Sequence, residues 1–114
     1  MVIRGGVYAI DLGEYKRGHE QRGKRYGIVM SPSNSELSVA TIIPTTTNSN
    51  SRLYHPEISF DSRRSFALIE QMRVIDQTYI GEFVGMVTAV EMLEIEQGIA
   101  QYLGLSRKAP QFGK

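Results

Sequence analysis

Between residues 17 and 25 the sequence reads RGHEQRGKR, a glycine-jointed stretch carrying Arg17, Arg22, Lys24 and Arg25 directly ahead of an apolar run. A strand needs no such leader, but a polyanion does. A loop with these cations can wrap a single strand, neutralise its phosphates and leave its bases free for stacking and edge reading. Arg25 stands at the junction of loop and strand, where a rigid backbone can hold its guanidinium in a planar two-bond fork to phosphate oxygens that lysine cannot copy. With a pKa above about 12 the group is a poor proton shuttle, so charge stabilisation is the role that suits it.

Other residues could share that chemistry. Thr45-Thr46-Thr47 follows Pro44 at the end of a β-prone run, and alternation along a strand turns Thr46 opposite to Thr45 and Thr47. A threonine hydroxyl there donates to a phosphate oxygen without adding charge. Glu20 and Gln21 lie in the basic loop; the carboxylate could orient Arg25 or Lys24, accept from a base amino group, take a proton, or simply pair with Lys24 or Arg22. His19, with an ordinary pKa of about 6.5, suits either proton transfer or substrate contact. Gln71 and Arg73, two apart in an alternating run, are expected to share one pleat face as a second polar wall. His55, before Pro56, reads as a turn residue. Two separated histidines and no cysteine argue against a zinc hydrolase, a thiolate site or a disulfide framework.

The elements that must position these groups are short. Strands are expected over Val7–Leu12, Tyr26–Ser31, Leu37–Pro44, Glu57–Phe60, Ser65–Ile75 and Val84–Val87, with Phe66, Leu68 and Val74 on one face of the fifth. The period then changes: Met92, Ile95, Ile99, Tyr102 and Leu103 recur at helical spacing, and a helix is expected from Thr88 to Leu103. Thr88 with Glu91 forms a capping-box pattern, Gly104 is a natural stop, and Gly98 costs the helix about 1 kcal/mol relative to alanine. Six short strands joined mainly by loops favour a mainly β (α+β) fold, a small SH3-like curled antiparallel sheet or barrel with a C-terminal helix.

The chain has 114 residues, enough for one domain that buries roughly two-thirds of its unfolded surface. A single domain over 1–105 with a flexible tail over 106–114 is expected. The net charge of +1 and 41% hydrophobic content announce no global affinity for polyanions, so any nucleic-acid site must be a local patch. The N-terminal stretch has no signal-peptide pattern and no run approaches a membrane span, so a cytoplasmic protein without a membrane partner is expected.

In order along the chain, RGGVYAIDLG, GHEQRGKR, IIPTTT, LIEQMRVID and VGMVTAVEMLEIEQGIAQYLGL resemble the motif series of the MazF/PemK/Kid family of toxin endoribonucleases, over nearly the whole length. The resemblance implies a homodimeric, cofactor-independent nuclease of a type II toxin–antitoxin system. Its substrate would be single-stranded RNA, cut by the RNA's own 2'-hydroxyl. An antitoxin's acidic C-terminal segment would compete for the same groove. It also implies catalytic roles for Arg25 and Thr46, and Glu20 and Gln21 match the family's loop pair; from the residues themselves Lys24, Gln71 and Arg73 are expected to contact substrate, and Thr45 and Thr47 either to do so or simply to continue a β-prone run. The chain departs from the family in carrying His19 for a serine, Tyr26-Gly27 for Pro-Val, and Tyr79 where an arginine is common. Two other readings are a gyrase poison of the CcdB type, which the lack of tryptophan disfavours, and a non-catalytic SH3-like module binding RNA or peptide.

Overall fold

The computed structural model describes residues 2–13, 24–33, 36–49 and 54–105. The basic-loop residues His19, Glu20 and Gln21 and the expected tail over 106–114 lie outside that set. Strands β1 (Gly6–Asp11), β2 (Lys24–Val29), β3 (Val39–Thr46), β4 (Glu57–Phe60), β5 (Arg63–Ala67), β6 (Arg73–Asp76) and β7 (Ile80–Met86) precede one helix, α1 (Ala89–Tyr102). All strand pairings are antiparallel, in the order β4-β5-β3-β2-β1-β7 with β6 also on β3. The expected curled antiparallel sheet with a C-terminal helix is thus the observed architecture.

Seven strands replace the expected six because the Ser65–Ile75 run is two strands, not one. From Ile42 to Thr45 β3 advances along its ladder while the chain facing it advances from Ala67 to Arg73. The surplus residues bulge out as a 3-10 turn, Ile69–Gln71. That turn breaks the pleat, so Leu68 is buried and Val74 is exposed instead of sharing a face. The alternation in the sequence continued through the turn by chance.

Pairing also lengthens strands beyond their apolar runs. Asp11↔Lys24 and Ile10↔Arg25 extend β2 back into the basic stretch, and Thr45↔Ala67 and Thr46↔Phe66 carry β3 into the threonines. β7 starts at Ile80, four residues before its expected start, and meets β1 through two register shifts. As an edge strand with most side chains outside, it shows no period to read.

The central strands are apolar on both faces, which explains their β-branched runs. Val7, Ile28 and Ile43, adjacent across the ladder, share one face with Ile58, Phe60, Ala67 and Ile95 of α1. Tyr8, Ile10, Val29, Ile42 and Ile75 cluster on the other. Each fully buried Val or Ile stabilises the fold by about 1.5–3 kcal/mol.

The helix begins as its sequence requires: Glu91 N–H donates to Thr88 Oγ1 at 3.0 Å and Thr88 N–H to Glu91 Oε1 at 2.8 Å. At its far end Gly104 adopts φ 74°, and Leu105 N–H reaches Ala100 O at 2.6 Å. Gly98 has a packing reason. A methyl group there would stand 2.5 Å from Ile69 Cδ1, so the glycine lets the helix settle on the 3-10 turn. No helix among the described residues is long and apolar enough to cross a membrane.

Candidate active site

Antiparallel pairing brings the C-terminal ends of β1 and β3 and the start of β2 to one end of the sheet. Arg25 pairs with Ile10 of β1 and so projects on the face of the Tyr8–Ile10 cluster. β2 meets β3 at Gly27↔Pro44; continuing that register by two positions places Thr46 opposite Arg25, on the same face. Tyr26 and Thr45 take the other face. The Thr45 hydroxyl donates to Tyr26 O at 3.1 Å and is buried, which locks the two strand ends together. Thr46 is half-buried, and its Oγ1 accepts from Asn48 N–H at 3.3 Å.

A groove of about 670 Å³ opens over these ends, lined by Arg25, Tyr26, the three threonines, Asp11, Arg63, Ser65 and Tyr79 among others. Two guanidiniums and several hydroxyls face a single carboxylate, Asp11, whose Oδ1 accepts from Gly13 N–H at 2.9 Å. The balance is cationic, and the donors outnumber the acceptors, as an anionic phosphodiester requires.

Arg25, Thr45, Thr46 and Thr47 are therefore brought together. Lys24 begins β2 opposite Asp11. Arg73 lines a second cavity of about 390 Å³ with Asp76, and Asp11 and Tyr79 form the border between the two. Gln71 lines neither. The expected second polar wall is not formed: Gln71 ends the 3-10 turn, Arg73 starts β6, and no continuous pleat aligns them. Asp76 caps the next 3-10 turn, Gln77–Tyr79; the backbone N–H of Thr78, 2.9 Å away, and then its hydroxyl hold the Asp76 carboxyl below its ordinary pKa.

Sequence reasoning missed Arg63 and the wall it makes with Tyr26. The Arg63 Cζ lies 5.0 Å from the centroid of the Tyr26 ring, which packs edge-to-face on Phe60 at 5.3 Å. The signal was Asp61-Ser62 between two alternating runs, a two-residue hairpin turn closed by Phe60↔Arg63. His55 proves more than a turn residue. Its Nδ1 is 2.6 Å from Ser49 Oγ and its Nε2 is 2.8 Å from Glu70. One neutral tautomer satisfies both contacts, with Ser49 O–H donating to Nδ1 and Nε2–H donating to the carboxylate. This bridge ties the segment after Thr47 to the 3-10 turn.

The fold and the site's order along the chain define the class. The chain belongs to the PemK-like, MazF-like toxins of type II toxin–antitoxin systems, a family whose description matches residues 3–103. It is 42% identical over 106 residues, 92% of this chain and 100% of the relative, to a Mycobacterium tuberculosis protein named a "putative toxin". An endoribonuclease in complex with its cognate antitoxin from a mycobacterial species superposes with a TM-score of 0.79 at 20% identity, over 95% of this chain and 100% of that one. MazF from Deinococcus radiodurans also superposes at 0.79 and 20% identity, over 90% and 96% of the two chains. At that identity the structural likeness establishes the fold.

Proposed function

We propose that this protein is a metal-independent endoribonuclease that cuts single-stranded RNA and thereby arrests growth. The observation that carries the reading is the meeting of Arg25 and Thr46 on one sheet face, at the open strand ends beneath a cationic groove. Family membership and the endoribonuclease activity of structurally similar proteins support it.

The nucleophile belongs to the substrate. The 2'-hydroxyl oxygen bonds to the adjacent phosphorus as its proton leaves to a base, and the bond from phosphorus to the 5'-oxygen breaks as that oxygen takes up a proton. Arg25 forks onto the non-bridging oxygens, where negative charge builds in the phosphorane, and the Thr46 hydroxyl donates beside it. Thr45 holds the strand ends in register. His19 and Glu20, in the basic stretch of sequence ahead of Arg25, are the candidates for proton acceptor; Gln21, Lys24, Thr47 and Arg73 are assigned to the RNA chain on either side. The protein works in the cytoplasm as a homodimer, and an antitoxin's acidic C-terminal segment competes with RNA for the groove.

The test is incubation of the purified protein with single-stranded RNA in EDTA, followed by mass analysis of the fragment ends. Ends carrying 2',3'-cyclic phosphate and 5'-hydroxyl are expected. A 5'-phosphate, or cleavage only after magnesium is added, would overturn the mechanism.

A further inference from the structure

We propose that Arg63, seated on Tyr26, is a platform on which a nucleobase of the bound RNA stacks; the proposal rests on the nuclease reading above. The β4–β5 hairpin presents two adjacent arginines, and strand alternation turns them to opposite faces. Arg64 is already occupied: its Nε donates to Glu57 at 2.7 Å and its Cζ lies 5.5 Å from the Phe66 ring centroid. Arg63 faces the groove, is exposed, and has no carboxylate partner among the described residues. An arginine kept only for solubility needs no such fixed seat.

The seat is built from the backbone upward. Asp61 and Ser62 both take positive φ, 50° and 57°, in the two-residue turn that Phe60↔Arg63 closes, so Arg63 leaves a tight hairpin with a defined direction. Tyr26 is held in turn by Phe60 and by the core beneath it. A guanidinium resting on one aromatic ring has its other side outward, and that side is planar, cationic and weakly hydrated. Those are the properties that a base stacks on, as bases do on arginine planes in single-strand recognition. Arg25 and Thr46, which reach the same groove from the other sheet face, hold phosphate, so a base joined to it across the open strand ends can reach Arg63. Arg63 then contacts substrate, while Tyr26 is a positioning residue acting through it.

The experiment uses a short single-stranded RNA that the wild type cuts, made with a 2'-O-methyl group at the cut nucleotide so that it binds uncleaved. Versions with one abasic nucleotide at successive positions are compared by fluorescence anisotropy across a salt series. For the wild type, one abasic position should weaken binding roughly 5- to 50-fold, the worth of one stacked base. Arg63→Ala should bind that version and the intact RNA equally. Arg63→Lys should keep the wild-type salt slope yet lose the discrimination, since it keeps charge but not the plane. Tyr26→Phe, which preserves the ring, should keep it. If Arg63→Lys discriminates as wild type does, or if the abasic penalty survives in Arg63→Ala, the platform is wrong while the nuclease reading stands. If the wild type neither cuts nor binds any RNA, both are wrong.

Discussion

The two ends of the β1–β2–β3 sheet are made by the same three strands, yet their polar groups are spent differently. At the end near the N-terminus, Gly5 N–H donates to Val29 O at 2.7 Å, Val87 N–H to Gly5 O at 3.0 Å, and Met30 N–H to Thr41 O at 2.8 Å. Arg4 is used there as a rivet: its Nε donates to Met30 O at 3.0 Å and its Nη2 meets Glu96 of α1 at 3.0 Å. At the other end Arg25, Thr46 and Arg63 line an open groove. Closing one end with the chain's own groups supplies rigidity, and that rigidity lets the opposite end hold donors in place for the RNA proposed above.

This contrast can be broken by mutation. At the open end Thr46→Ala should lower the cleavage rate roughly 100-fold by removing one donor from the reacting phosphate, an effect exceeded only by loss of Arg25. The only hydrogen bond described for its side chain is the one it accepts from Asn48 N–H, so stability should fall by no more than about 1 kcal/mol. Cleavage kinetics and denaturant unfolding on the same sample check both parts.

Gly5→Ala should do the reverse at the closed end. Gly5 has φ 86°, and a Cβ there would lie 3.1 Å from Met92 Cε, so a loss of about 1–2 kcal/mol is expected with kcat for the folded protein unchanged. Ser62→Gly sharpens the comparison in the other direction. It relieves a positive φ in the hairpin that carries Arg63, and should raise stability by about 0.5–1 kcal/mol in urea titrations.

The smallest expected effect concerns pH. Asp76 is held below its ordinary pKa by Thr78, so its contribution is present above the unfolded carboxylate's value of about 4 and disappears as pH falls through the lowered folded value. The gap in Tm between wild type and Asp76→Ala should therefore be open at neutral pH and close in acid; a gap that widens in acid would contradict the assignment.

What the sequence disclosed and what it hid follow from the range of the interactions. The Thr88–Glu91 box and the Gly104 stop are local, and both formed where the sequence placed them. The gathering of Arg25 with Thr45–Thr47 was legible through the family motifs, although composition alone started the strand of Arg25 too late, at Tyr26, and ended the strand before the threonines too early, at Pro44. Strand ends are fixed by a neighbour's ladder, which no local window contains. The 3-10 turn at Ile69–Gln71 was hidden because its residues continue the alternation of the strands around it, and with it went the shared face of Gln71 and Arg73. Arg63 and the Ser49–His55–Glu70 bridge depend on contacts between elements distant in sequence, so their residue types gave no signal alone.

The division between the two ends comes down to Arg25 at the open one and Arg4 at the closed one. Single-turnover cleavage of a short RNA at saturating protein, compared among wild type, Arg25→Ala and Arg4→Ala, tests it most directly. Arg25→Ala should lose roughly 100- to 1,000-fold in rate while staying folded, and Arg4→Ala should lower stability while the folded protein cuts at the wild-type rate. An Arg25→Ala protein that cuts at full speed once RNA is saturated, or an Arg4→Ala protein that stays folded and loses cleavage equally, would contradict the division of the sheet into a closed end and a chemical one.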